Sequence, residues 1–219
     1  MTETIAPEQA PPATEAAAAP PKKNQAWRSR EPHPLLHRLA DWHPALFGAR
    51  FRPLKLGIFE DLLVRHPELD KEDLKAALSQ HARSTPYLES AAAGDWRHDL
   101  DGQPVEEVAP EHRWHAVMEV FRRRQARSGK DLRPWLLERL AQAIEASRLD
   151  RADYFERVRA AEPLAVQALD DAFALLGERA AKREAVRRAF EASGLSVADF
   201  AHMYGMDETA VQEAVAPRN

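Results

Sequence analysis

The sequence contains no cysteine. Disulfide staples, thiolate nucleophiles and cysteine-ligated zinc are therefore excluded at the outset. Glycine is scarce, eight residues in 219, which leaves little material for a phosphate cradle. Neither a Gly-x-x-x-x-Gly-Lys-Ser/Thr loop nor a Gly-x-Ser-x-Gly elbow occurs. No apolar run approaches the ~20 residues that cross a bilayer. Met1-Thr2-Glu3-Thr4-Ile5 opens the chain with neither a basic nor an apolar segment behind it, so a cytoplasmic protein is expected, with no membrane contact. Aromatic residues are 7% of the chain and charged residues 30%, a composition that suits helices.

An excess of positive charge is also missing. Asp and Glu number 35 against 31 Lys and Arg, for a formal net charge of −4. Nucleic-acid binding needs a basic surface, so any such function requires the cations to be concentrated. They cluster at Lys22-Lys23 with Arg28 and Arg30, and at Arg122-Arg123-Arg124 with Arg127. The expectation is a locally basic face on a mildly acidic protein. Nine histidines are present, and His33/His37 and His112/His115 have spacings that share a helix face. Neither pair forms His-Glu-x-x-His, so packed or solvated histidines, no metal and no cofactor are expected. Acid pairs such as Glu106-Glu107 have no marked base or nucleophile beside them, and no enzyme is expected.

Residues 1–30, rich in Pro, Ala, Glu and Gln, read as a disordered N-terminal tail. From Leu35 onward the apolar residues follow helical spacing, with breaks at His43-Pro44 and His66-Pro67. Asp70 is a candidate N-cap, and Ser84 or Thr85 before Pro86 is another helix start. Trp96–Leu100 and Val105–Val108 flank Asp101-Gly102, a two-residue turn signal that predicts a small β-hairpin. Trp114, Val117, Met118 and Phe121 form one side of a helix whose basic end suits either the helix dipole or RNA. Ser128-Gly129-Lys130 marks a boundary, and the pattern beyond it is purely helical.

Two segments carry more than local structure. Phe51-Arg52-Pro53-Leu54-Lys55-Leu56-Gly57-Ile58-Phe59 is followed about forty residues later by Gly94-Asp95-Trp96-Arg97-His98-Asp99-Leu100-Asp101-Gly102, with Ser84-Thr85-Pro86-Tyr87-Leu88 between. In this order they resemble the signature of the ProQ/FinO RNA-binding domain, over about Leu35 to Arg124. The resemblance implies a compact helical domain with a small β-hairpin, placed here over 31–128; the purely helical pattern beyond it adds an all-α C-terminal domain over 129–219, for a mainly α fold. It also implies binding of structured RNA, namely small RNAs and mRNA 3′ ends, at the base of terminator hairpins and the single-stranded 3′ tail. An RNA chaperone of this kind stabilises its RNAs and promotes duplexing or strand exchange in post-transcriptional regulation.

The resemblance places Arg97 and Tyr87 at functional positions. A guanidinium can fork onto a phosphate, and Tyr87 lies in a first helical turn where N–H donors attract anions. Ser84 and Thr85 add hydroxyl donors or cap that helix. Lys71 and Lys75, one turn apart, match basic positions, and Arg83 restores charge lost at Ser79. Arg52 and Lys55 belong to the signature itself. Each also has a structural reading: Tyr87 as a half-buried core ring, Arg97 in a hairpin ion pair with Asp99, Lys71 and Lys75 on a solvated face, and Lys55 paired with Asp61. Gly57 is read as allowing close packing or close approach of RNA.

Val197–Val215 reads as a helix–turn–helix-like end. It supports two alternatives, a DNA-binding regulator and a protein-interaction scaffold with a protein partner on the C-terminal helices. Its second helix starts Asp207-Glu208 and carries no Lys or Arg, which opposes binding to a DNA duplex.

Overall fold

Proline starts many of the helices. It occupies the first turn of α1 (Pro34–Trp42), α2 (Pro44–Phe47), α5 (Thr85–Ala93), α6 (Pro110–Gln125), α7 (Arg133–Ser147) and α9 (Pro163–Ser193). There its missing N–H costs nothing and its fixed φ is already helical. Side-chain caps start others: Asp70 for α4 (Lys71–Ala82), Asp150 for α8 (Arg151–Val158), Ser196 for α10 (Val197–Tyr204) and Asp207 for α11 (Glu208–Val215). Helix α3 (Ile58–Arg65) follows Gly57, whose φ of 82° is left-handed. A Cβ at Gly57 would meet nothing nearer than Glu60 Oε2 at 3.7 Å, so glycine is needed for the backbone angle and not for close packing.

This is a computed structural model, and it describes residues 31–216; the expected N-terminal tail with Lys22, Lys23, Arg28 and Arg30 lies outside them. Among the described residues there are eleven helices and one two-stranded antiparallel sheet, β1 (Arg97–His98) with β2 (Pro104–Glu106). The fold is mainly α, and no helix among these residues is long and apolar enough to cross a membrane.

The hairpin differs from the expected two-residue turn. Its strands are shorter and five residues separate them. The Asp99 carboxylate accepts from the amides of Asp101 and Gln103, and Leu100 is buried, so this loop closes on a side chain. The register is Arg97 opposite Glu106 and His98 opposite Pro104, with a bulge between. On the other edge, Leu54 bridges to His98: His98 N–H donates to Pro53 O at 2.8 Å, and Lys55 N–H to His98 O at 2.9 Å. The two signature segments are thus hydrogen-bonded to each other.

Three apolar clusters fill the molecule. Leu35, Leu39, Leu46, Leu54, Leu62, Leu74 and Leu100 join α1 to α4 with the hairpin loop. Leu88, Val117, Met118 and Phe121 join Leu136, Leu140, Tyr154 and Leu169, so this cluster runs across the expected division at 128/129. Phe200, Ala201 and Val211 pack with Val186 and Phe190 of α9, and Gly205 in the left-handed region (φ 61°) turns α10 into α11.

Leu140 has no exposed surface and sits in the cluster that spans both halves of the chain. Leu140→Ala is expected to lower stability by about 2–5 kcal/mol. Chemical denaturation reads this as a lower midpoint, and an unchanged midpoint would contradict the shared core.

Candidate nucleic-acid interface

The meeting point of the signature segments is the Leu54 peptide. Its N–H donates to the Tyr87 hydroxyl at 3.2 Å, and its carbonyl accepts from the Arg97 guanidinium at 2.8 Å. A buried edge peptide needs such partners because water cannot reach it. Arg97 is 8% exposed. It also donates to His112 Nδ1 at 3.0 Å, and its Nε lies 3.8 Å from Glu106. The expected pairing of Arg97 with Asp99 is replaced by this one, because Glu106 stands opposite Arg97 in the ladder while Asp99 turns to its own loop.

Behind Tyr87, His81 is buried against Phe47, Phe51 and Tyr87, with ring centroids 4.7, 4.4 and 5.3 Å apart. Burial pushes its imidazole down to about 4. In front of Tyr87 lies an open cleft of about 500 Å³, lined by Arg83, Tyr87, Arg97, His112, His115, Glu119 and Arg123, with Pro53 and Leu56 from the first signature segment. Three guanidiniums face the Glu119 carboxylate among these lining residues, with Glu106 3.8 Å from Arg97 behind them, so cations outnumber carboxylates around this cleft in a chain whose net charge is −4. Arg123 braces its edge: it bonds Glu119 at 2.8 Å, the Arg83 carbonyl at 2.9 Å and the Thr85 hydroxyl at 3.0 Å.

The sequence-predicted residues divide. Arg83, Tyr87 and Arg97 line the cleft, and Ser84 and Thr85 sit at its rim through α5 and Arg123. Ser84 accepts from the Tyr87 amide and Pro86 has no N–H, so Thr85 keeps the spare amide of that helix start. Lys71 and Lys75 are exposed on the first turns of α4 and do not line the cleft. Lys55 bonds Asp61 at 2.8 Å, a contact that raises its ammonium pKa, and Arg52 reaches the Gly102 carbonyl at 3.4 Å. Neither of them lines the cleft. Arg83 bonds back to Ser79 on its own helix. Sequence reasoning missed His112, His115, Glu119 and Arg123 as one group. Their spacing of three and four residues puts them on one face of α6, a pattern that was open to view.

Residues 29–133 match the ProQ/FINO family. That stretch of the chain belongs to the family. It contains both signature segments and every residue lining the cleft. The RNA chaperone ProQ of Shewanella oneidensis is 44% identical over 87 residues, 37% of this chain and 41% of that protein. The RNA chaperone ProQ of Aliivibrio fischeri is 44% identical over 68 residues, 30% and 33% of the two chains. Among solved structures, a FinO-like RNA chaperone of Neisseria meningitidis is 32% identical and aligns over 37% of this chain and 85% of its own, with a TM-score of 0.35. The chain spans less than half the length of the curated relatives it matches.

Two outcomes are expected. Tyr87→Phe keeps the ring but strips the acceptor from Leu54 N–H, and should cost about 1–3 kcal/mol in a thermal or denaturant melt. A melt identical to that of the native chain would show that the hydroxyl is dispensable there. The second concerns His81. Its value is depressed in the fold from the ordinary 6.5, so the unfolded chain protonates first as pH falls. The stability is whole above about pH 6.5 and is lost progressively toward pH 4, by roughly 2–3 kcal/mol. His81→Phe should flatten that slope; an unaltered pH profile would contradict the assignment.

Proposed function

We propose that this protein is an RNA-binding RNA chaperone that takes structured RNA into the cleft around Tyr87 and Arg97. The observation that carries the reading is the concentration of Arg83, Arg97 and Arg123 around an aromatic ring where the two signature segments meet. A-form helices present backbone and shape, and loose ends present bases, so an open basic cleft beside a tyrosine suits a hairpin with a single-stranded 3′ end. Arg97 lines the cleft and keeps N–H groups beyond those given to Leu54 and His112, which are what it can offer a phosphate. Lys71, Lys75, Arg52 and Lys55 serve the approach of the duplex from outside the cleft.

The RNA class is that of small RNAs and mRNA 3′ ends with terminator hairpins, and binding protects them and promotes duplexing or strand exchange in the cytoplasm. No cofactor is needed, because charge neutralisation and selection of RNA shape do the work and no covalent bond changes. On this reading residues 31–128 supply the whole of the cleft around Tyr87, while residues 129–219 brace them or meet a protein partner. The DNA-binding alternative has α11 against it, since Glu208 and Glu213 would face phosphates there.

The test is binding of the full chain to a terminator-type hairpin, with and without its 3′ uridine tail, across a salt series. Tail-dependent affinity that falls steeply with salt is expected, and Lys71→Ala or Lys75→Ala should each reduce the salt slope by up to about 1. Affinity that ignores both the tail and the salt would overturn the reading.

A further inference from the structure

A second cleft lies on the other side of the hairpin, and residues beyond the family stretch build half of it. It has a volume of about 860 Å³. Trp96, Glu107 and Arg113 enter from the hairpin and α6; Glu145, Arg148 and Arg157 enter from the end of α7 and from α8. Trp96 and its neighbour Arg97 line different clefts, as alternation along an extended chain requires, and Val108 lines both.

Three features set this cleft apart from an ordinary charged surface. Arg113, Arg148 and Arg157 face two carboxylates, and among the described residues none of the three makes an ion pair. Arg113 is the least satisfied. Its Nε is buried without a partner, and its one hydrogen bond, to the Ala93 carbonyl, is long at 3.4 Å. Burial lowers its guanidinium from the ordinary value, as expected of a partly desolvated cation. Gly94 admits it, since a Cβ at that position would stand 2.6 Å from the Arg113 guanidinium carbon.

Arg148 is held in the left-handed region, φ 56°, at the C-terminal cap of α7. Glycine takes that conformation without strain, and arginine does not. Arg159 caps α8 in the same conformation, so the angle belongs to the helix end; of the two arginines, Arg148 is the one that lines the cleft. Trp96, finally, leaves an indole 48% exposed beside these cations. Cations that track a backbone, with an open aromatic face for bases, are the elements of a single-strand site.

We propose that this cleft is a second RNA site, which holds a single-stranded segment with its phosphates on Arg113, Arg148 and Arg157 and a base stacked on Trp96. The proposal rests on the RNA-binding reading of the chain and extends it to residues outside the family stretch. A strand held here, while a hairpin occupies the cleft around Tyr87, would be presented next to its pairing partner.

The experiment measures binding of a labelled oligouridylate to the full chain already saturated with the tailed hairpin. The native chain should form the ternary complex. Trp96→Ala should weaken oligouridylate binding roughly tenfold. Arg148→Gly should weaken it as well while leaving the melting temperature equal or higher, which separates the lost contact from a folding defect. Neither change should alter hairpin affinity. Unchanged oligouridylate affinity in both variants, or loss of hairpin and oligouridylate binding together, would overturn the second site. So would capture of an oligoglutamate peptide in place of oligouridylate, which would make the cleft a surface for an acidic protein. If the native chain bound oligouridylate through Trp96 but never bound the hairpin, the second site would stand and the reading of the first cleft would fall.

Discussion

Everything around the candidate interface depends on how one peptide is satisfied. Pro53 and Lys55 hydrogen-bond to His98 across the sheet edge, which leaves the N–H and carbonyl of Leu54 pointing the other way. Leu54 is 6% exposed, so its polar groups need protein partners. Tyr87, at the start of a helix, and Arg97, on the first strand, supply them from 33 and 43 residues away. The same two contacts close the domain and aim a phenol and a guanidinium at the cleft. Stability and binding therefore rest on the same side chains here, and a substitution at either cannot be read as a binding defect until folding has been measured.

The charge distribution follows a similar economy. The chain is acidic as a whole, and among the described residues many arginines are tied to nearby carboxylates, as in Arg65–Asp101, Arg124–Glu89, Arg133–Asp171 and Arg179–Glu138. Exposed pairs of this kind add little stability, but they remove those cations from the field seen by an anion. What remains is local. The arginine run at the end of α6 is divided in this way: Arg124 turns to Glu89 and the Trp135 ring, while Arg123 turns to the start of α5 and the cleft. Total charge thus predicted little about what the surface can hold.

Local signals in the sequence were legible where the physics is local. The capping of α4 by Asp70 and of α5 by Ser84, the proline at the start of α5 and the helix–turn–helix-like end at Val197–Val215 all depend on atoms a few residues apart. The mainly α fold with its hairpin could be read in the same way, helped by the family resemblance. The Asp101-Gly102 signal gave the hairpin's place but not its loop, because Asp99 competes for the same amides. Arg52 and Lys55 could not be told apart from cleft residues, since their orientation depends on Gly102 and Asp61. Ser128-Gly129 marks a turn, yet whether α6 and α7 share a core is decided by long-range packing that no local pattern encodes.

The most direct test follows backbone and guanidinium NMR signals of the full chain as a tailed terminator hairpin is added. The account predicts that the Leu54 amide, the Tyr87 amide and the Arg97 side-chain Nε–H shift first and furthest, because the phosphate and the ring contact act on the groups that hold the Leu54 peptide. Signals there that stay fixed while those of Glu208 to Val215 move would contradict it and place the nucleic acid on the C-terminal helices.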